Sequence, residues 1–129
     1  MKLFLSFASK DIQHAEYIYD KMCNLWLGNE IESIFFAPKK IRPGSKWDAE
    51  ILNALKTIDL LFVLWSDQSR SSYGQQVEIG AAWGLSKKIL VLSMHVDENS
   101  MPFILKDTQV IRWGAFKSGF EEFMLHRDS

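Results

Sequence analysis

"DLLFVLW", residues 59 to 65, is the stretch on which the fold turns. After Asp59 every residue is apolar, in a run of strand length with no polar alternation. Such a run fits a strand covered on both faces, as the inner strands of parallel sheets are. Its flanks agree. Before it, "KWDAEILNALKTI" (46–58) has apolar residues at helical spacing, with Ser45 and Asp48 resembling a capping-box variant at its start. After it, the polar loop "SDQSRSS" (66–72) leads into another helical segment.

Farther out the same rhythm continues in both directions. "KLFLSF" (2–7) reads as a buried strand, interrupted by "ASKD"; Asp11 to Leu27 then shows apolar residues at three- and four-residue steps, ended by Gly28-Asn29. "IESIFF" (31–36) reads as a second strand and "APKKIRPGS" (37–45) as a loop, with Pro43-Gly44 as its turn. "KILVLSM" (88–94) is a fourth strand, "QVIRW" (109–113) a short fifth, and "AFKSGFEEFMLHR" (115–127) a closing helix. The connection "HVDENSMPFILKDT" between the last two strands carries the weakest pattern. Strands alternating with helices predict an α/β fold, an open parallel sheet with helices on both faces. In such sheets ligands bind beyond the carboxyl ends of the strands, where the strand order reverses.

Composition narrows the function. A length of 129 residues predicts a single domain spanning 1–129. A net charge of −1, with basic residues only in ones and twos, leaves no footprint for nucleic acid or an anionic membrane. The lone cysteine, Cys23, excludes an intramolecular disulfide and fits a reducing, cytoplasmic setting. No apolar run approaches the length of a signal-peptide core or a membrane span, and His14, His95 and His126 lack ligand spacing, so no metal is expected.

The segment after the third loop holds the main chemical candidate. From Val77 to Leu85 every residue is apolar or glycine except Glu78, a carboxylate inside a helix otherwise suited to burial. Lying near the start of that helix, Glu78 is expected to face the crevice at the sheet edge. The bland alternative is a first-turn glutamate that merely favours the helix amino terminus. Trp83, on a different helical face, is expected in the core.

"FLSFASKD", "FFAPKKIRPGSKW", "LLFVLWSDQSRSS" with a glutamate six residues after Ser72, and "KKILVLS" resemble, in order and spacing, the successive motifs of the Toll/interleukin-1 receptor (TIR) domain, most closely its bacterial and archaeal branch. The resemblance covers nearly the whole chain. It implies a five-stranded flavodoxin-like sheet, and either NAD+ cleavage or scaffolding by self-association. In the catalytic branch one glutamate at the start of the third helix is essential, and Glu78 stands at its position. The family often has a tryptophan four residues before that glutamate; Gly74 stands there, and the adjacent Tyr73 is the candidate aromatic surface.

The residue types fit that chemistry. Nicotinamide in NAD+ is cationic and leaves as a neutral base, so no general acid is needed and one carboxylate suffices to orient ribose and stabilise charge at its anomeric carbon. NAD+ is then a substrate, and no cofactor is expected. Phe7, Ala8 and Ser9 are expected to border the crevice, against the plainer reading that Ser9 or Asp11 caps the first helix, which is preferred for Asp11. Phe36 is a candidate for stacking on the ligand, also readable as a strand-end core residue, and Lys40 and Arg42 for its pyrophosphate, also readable as a solvated loop; Ser72 and Tyr73 are further candidates for substrate contact. The expected activity is an NAD+ glycohydrolase or cyclase giving nicotinamide and ADP-ribose or a cyclic ADP-ribose signal, as in stand-alone TIR proteins of antiviral defence and innate immunity. Self-association or pairing with other TIR domains, and a separate sensor or effector chain, are the implied partners. The rivals are a TIR scaffold without catalysis, acting through the loop at 37–45, and an N-glycosidase of nucleosides.

Overall fold

A computed structural model describes residues 1–36, 47–94 and 101–127. Five strands, β1 (Lys2–Ser6), β2 (Ser33–Phe35), β3 (Leu60–Trp65), β4 (Lys88–Ser93) and β5 (Gln109–Arg112), form one sheet in the order β2-β1-β3-β4-β5. Every pairing is parallel. The helices are α1 (Ile12–Trp26), α2 (Trp47–Thr57), α3 (Tyr73–Gly84) and α4 (Phe116–His126). This is the flavodoxin-like α/β order expected, with the strand order reversing between β1 and β3.

The apolar run 60–65 is buried at every position, as its sequence requires of the central strand. Its side chains divide by parity. Leu60, Phe62 and Leu64 join Leu3, Leu5 and Phe7 in a core closed by α1 (Ala15, Ile18, Met22) and α4 (Phe116, Phe120, Phe123). Leu61, Val63 and Trp65 join Phe4, Ile89 and Val91 beneath α2 (Ile51, Leu55) and α3 (Ile79, Ala82). The helix that follows β1 therefore lies on one face and the helix that follows β3 on the other. Their divergence opens a fork at the carboxyl ends of these two strands.

Three local readings differ from expectation. β2 covers only Ser33–Phe35: Ile31 is drawn into the turn after α1, its N–H donating to the Trp26 carbonyl and its carbonyl accepting from Gly28 N–H, with Gly28 at φ 90°. Trp83 is not core but 56% exposed. One residue beyond buried Ala82, it is rotated by about 100° off the inward face of α3. Asp11 occupies the N-cap position of α1 without a capping hydrogen bond from its side chain, which is used elsewhere. The expectations for Lys40, Arg42, His95, the Pro43-Gly44 turn, the Ser45–Asp48 capping box and the Trp47 side chain lie outside the described residues.

Two helical glycines give opposite predictions. A Cβ at Gly80 on α3 meets nothing within 4 Å, whereas one at Gly119 on α4 falls 2.6 Å from Ile111 Cγ2. Gly80→Ala should stabilise the protein by about 0.4–1 kcal/mol, through helix propensity and a less free unfolded chain. Gly119→Ala should destabilise it by about 1–3 kcal/mol, because Ile111 is buried and its branched methyl has little room to yield. Urea denaturation of the two variants checks both signs.

Candidate active site at the β1–β3 fork

Pairing between β1 and β3 ends at Ser6 with Val63, while β3 runs on beside β4 to Trp65 with Ser93. The carbonyl of Leu64 thus lies one residue past the last β1 partner, in buried surroundings where it still needs a donor. The donor comes from α3. Gln75 is fully buried, and its Nε2 donates to the carbonyls of Leu64 at 2.8 Å and Ser6 at 3.2 Å, spanning the two strand ends. The Ser69 hydroxyl adds a longer bond to Leu64 O at 3.4 Å.

One turn further along α3 stands Glu78, also fully buried. Ser6, on the same face of β1 as Phe4, donates its hydroxyl to Glu78 Oε1 at 2.8 Å. A matching pair crosses the fork the other way: Ser66, just past β3, donates its hydroxyl to Oδ2 of buried Asp11, at the start of α1. Ser66 Oγ in turn accepts from Gln68 N–H at 3.0 Å, and Ser66 N–H donates to Ser69 Oγ at 2.9 Å. Each central strand is thus bonded, through a serine at its end, to the helix that follows the other strand. Both carboxyl groups receive a hydroxyl donor, as buried polar groups require.

Beside this network lies a cavity of about 310 Å³, lined by Ala8, Ser9, Lys10, Gln68, Ser71, Ser72, Tyr73 and Gly74. Four residues singled out from sequence, Ala8, Ser9, Ser72 and Tyr73, are therefore brought together. Ser72 also caps α3, its Oγ accepting from Gln75 N–H at 3.3 Å. Tyr73 is 79% exposed, leaving its ring open to a ligand. Glu78 is not among the cavity-lining residues; it is enclosed between α3 and β1 rather than facing an open crevice.

The aromatic candidates are placed differently. Phe7 is 1% exposed and points into the α1–α4 core, on the sheet face opposite Ser6. Phe36 stacks on it with ring centroids 5.3 Å apart, and on Tyr19 at 4.7 Å. These rings pack against one another at the end of β2. The side-chain hydrogen bond with Cys23, then the charge interaction with the same residue, raise the Tyr19 phenol above its ordinary value, and burial adds to this. Tyr19 consequently remains neutral at physiological pH and serves this packing. Ser6, Gln75, Ser66 and the carboxylate of Asp11 were not singled out for the site from sequence. The only available signal was their place at strand ends and on the inward face of α3. Among the described residues no group of His, Cys, Asp or Glu could hold a metal ion, and no helix is long and apolar enough to cross a membrane.

A fully buried carboxyl group fixed by a serine hydroxyl is the kind of group that stabilises positive charge developing near it. Comparison with known proteins bears on the frame that carries it. In structure the chain is similar to the TIR domain of the Toll-related receptor TRR-2 from Hydra magnipapillata, with a TM-score of 0.74 at 15% identity, over 96% of this chain and 98% of that one. It is also similar to the Clostridium botulinum CMP N-glycosidase BcmB, with a TM-score of 0.64 at 15% identity, over 95% and 98% of the two chains. At such identity these likenesses show the fold alone. No curated protein sequence matches the chain significantly. The family model described as the TIR domain matches residues 3–124, nearly the full length, and with the strand order and fork above it shows that this chain belongs to the TIR domain family.

Proposed function

We propose that this TIR domain cleaves the N-glycosidic bond between nicotinamide and ribose in NAD+. The observation that carries the proposal is Glu78, a carboxylate with no exposed surface, held by the Ser6 hydroxyl at the fork where the fold binds ligands. Within the family it stands where the catalytic branch has its essential glutamate. The CMP N-glycosidase of the same fold supports the broader reading, that such a frame can host N-glycoside cleavage.

The chemistry asks little of the protein beyond placement and electrostatics. As the bond from the anomeric carbon to nitrogen breaks, its electron pair goes to the pyridinium nitrogen and nicotinamide leaves neutral. Positive charge builds on the ribose ring. Glu78, in a low-dielectric setting, stabilises that charge through space, while Ser6 keeps the carboxylate in one orientation. Water attacking the anomeric carbon and losing a proton gives ADP-ribose; capture by a nucleophile of the same molecule gives a cyclic product, a fitting messenger in antiviral defence. A cavity of about 310 Å³ lies at the small end of the usual range for ligand pockets, about 300–1,000 Å³. It would seat one half of a dinucleotide, with the open ring of Tyr73 as a stacking surface and Ser9 and Ser72 as hydroxyl partners. Phe7 and Phe36 would act by packing. Lys40 and Arg42 remain candidates for the pyrophosphate.

A scaffolding role is the second reading, and the outer side of α3 supports it. TIR domains commonly self-associate, and Tyr73, Val77 and Trp83 are exposed on a helix whose one charged residue, Glu78, points inward.

Nicotinamide release should be lost on Glu78→Gln, by about 10²–10³-fold, with the folded state retained. Purified wild type and variant, incubated at high protein concentration with NAD+ and separately with CMP, are compared by mass-resolved chromatography. Release of cytosine from CMP with NAD+ untouched would move the assignment to a nucleotide glycosidase, and equal activity of both proteins on NAD+ would remove Glu78 from the mechanism. Tyr73→Ala should leave stability within about 0.5 kcal/mol, since the side chain is exposed, and should raise KM for NAD+ several-fold. Chemical denaturation and initial-rate kinetics measure the two effects.

A further inference from the structure

We propose that Gln75 is a positioning residue: by clamping the ends of β1 and β3 it sets the place of Ser6, and through Ser6 the orientation of the Glu78 carboxylate. What that carboxylate then does rests on the function proposed above; the clamp itself does not.

The argument begins with one amide group on two carbonyls. Gln75 Nε2 reaches Ser6 O at 3.2 Å and Leu64 O at 2.8 Å, so the separation of the two strand ends is tied to the reach of one rigid group. Ser6 is the hinge of the arrangement. Its carbonyl accepts from Gln75 and its hydroxyl donates to Glu78 Oε1 at 2.8 Å. Gln75 and Glu78 lie three residues apart on α3, neighbours on one side of the helix. Helix, glutamine, strand end, serine and glutamate therefore close a ring of fixed contacts, and a change in strand spacing is felt at the carboxylate.

The unused half of the amide points the same way. Gln75 Oε1 is buried without a hydrogen-bond partner. An apolar side chain of similar length would avoid that penalty and fill the space, so packing alone does not account for glutamine here. What an apolar side chain lacks is the pair of bonds from Nε2. The second tie across the fork, from Ser66 to Asp11, joins β3 to α1 and touches neither Ser6 nor Glu78. It holds the loops, not the carboxylate.

The test compares wild type, Gln75→Met, and Ile111→Val as a mild core change remote from the fork. The first readout needs no activity: the ¹³C chemical shift of the Glu78 side-chain carboxyl in the folded protein. It should move in Gln75→Met and stay unchanged in Ile111→Val. An unmoved resonance in a folded Gln75→Met protein overturns the proposal. The second readout is NAD+ turnover, where Gln75→Met should lower kcat about tenfold or more with KM within about threefold, as expected when a reacting group is misplaced but binding surfaces are kept. A raised KM with unchanged kcat would also overturn it. If wild type releases no nicotinamide, the catalytic reading fails while the carboxyl resonance still decides the clamp. Should Gln75→Met not fold, Gln75→Leu, which likewise cannot donate to either carbonyl, is examined by the same resonance with the same two outcomes.

Discussion

Where β1 and β3 part, backbone carbonyls leave the sheet's hydrogen-bond ladder before they leave the protein interior. That is the constraint around which this molecule is arranged. Parallel strands covered on both faces bury their ends as well as their middles, and a buried carbonyl without a donor costs about 1–3 kcal/mol. The chain meets it with polar groups on the inward face of α3: Gln75 serves Ser6 and Leu64, and Ser69 assists at Leu64. Polar side chains thus enter what would otherwise be a continuous apolar layer, at a place where the topology can use them.

Glu78 follows from the same arrangement. A carboxyl group with no exposed surface is costly to place in a protein unless donors compensate it. Here the donor is supplied by Ser6, whose carbonyl is already fixed by Gln75. A site that stabilises developing positive charge benefits from these conditions. It must be dry, so that electrostatic interactions are strong, and rigid, so that no reorganisation is needed as charge appears. Strand geometry that demands internal donors and the chemistry proposed for a dry carboxylate draw on residues one turn apart on one helix.

Most of the fold was legible from residue order. The apolar run at 60–65, the parity of the flanking strands and the helical spacing of Ala15, Ile18 and Met22 each report a local fact that burial then uses. The site was legible in part. Glu78 stood out because a charge in an apolar helix is conspicuous, and Ala8, Ser9, Ser72 and Tyr73 because loops at strand ends meet. Phe7 and Phe36, singled out by the same logic, pack into the protein instead of lining the cavity. Both follow strands at the ligand-binding edge, but Phe7 takes the parity of Leu3 and Leu5, and Phe36 packs on it. Trp83 shows the opposite error, since hydrophobicity alone placed inside a residue that helical rotation turns outward.

By itself the sequence determined most of the strands and helices, which strand is buried on both faces, and that one carboxylate lies in a helix otherwise suited to burial. These follow from periodicity and burial, properties of short stretches. Only the tertiary structure decided that Ser6 meets Glu78 across 72 positions of chain, and that Ser66 meets Asp11 across 55. Serine and glutamine are common and locally undemanding, so nothing in their neighbourhood marks them. Their roles arise when the crossovers place α1 and α3 on opposite faces and bring two strand ends together, a matter of strand order that no short stretch encodes.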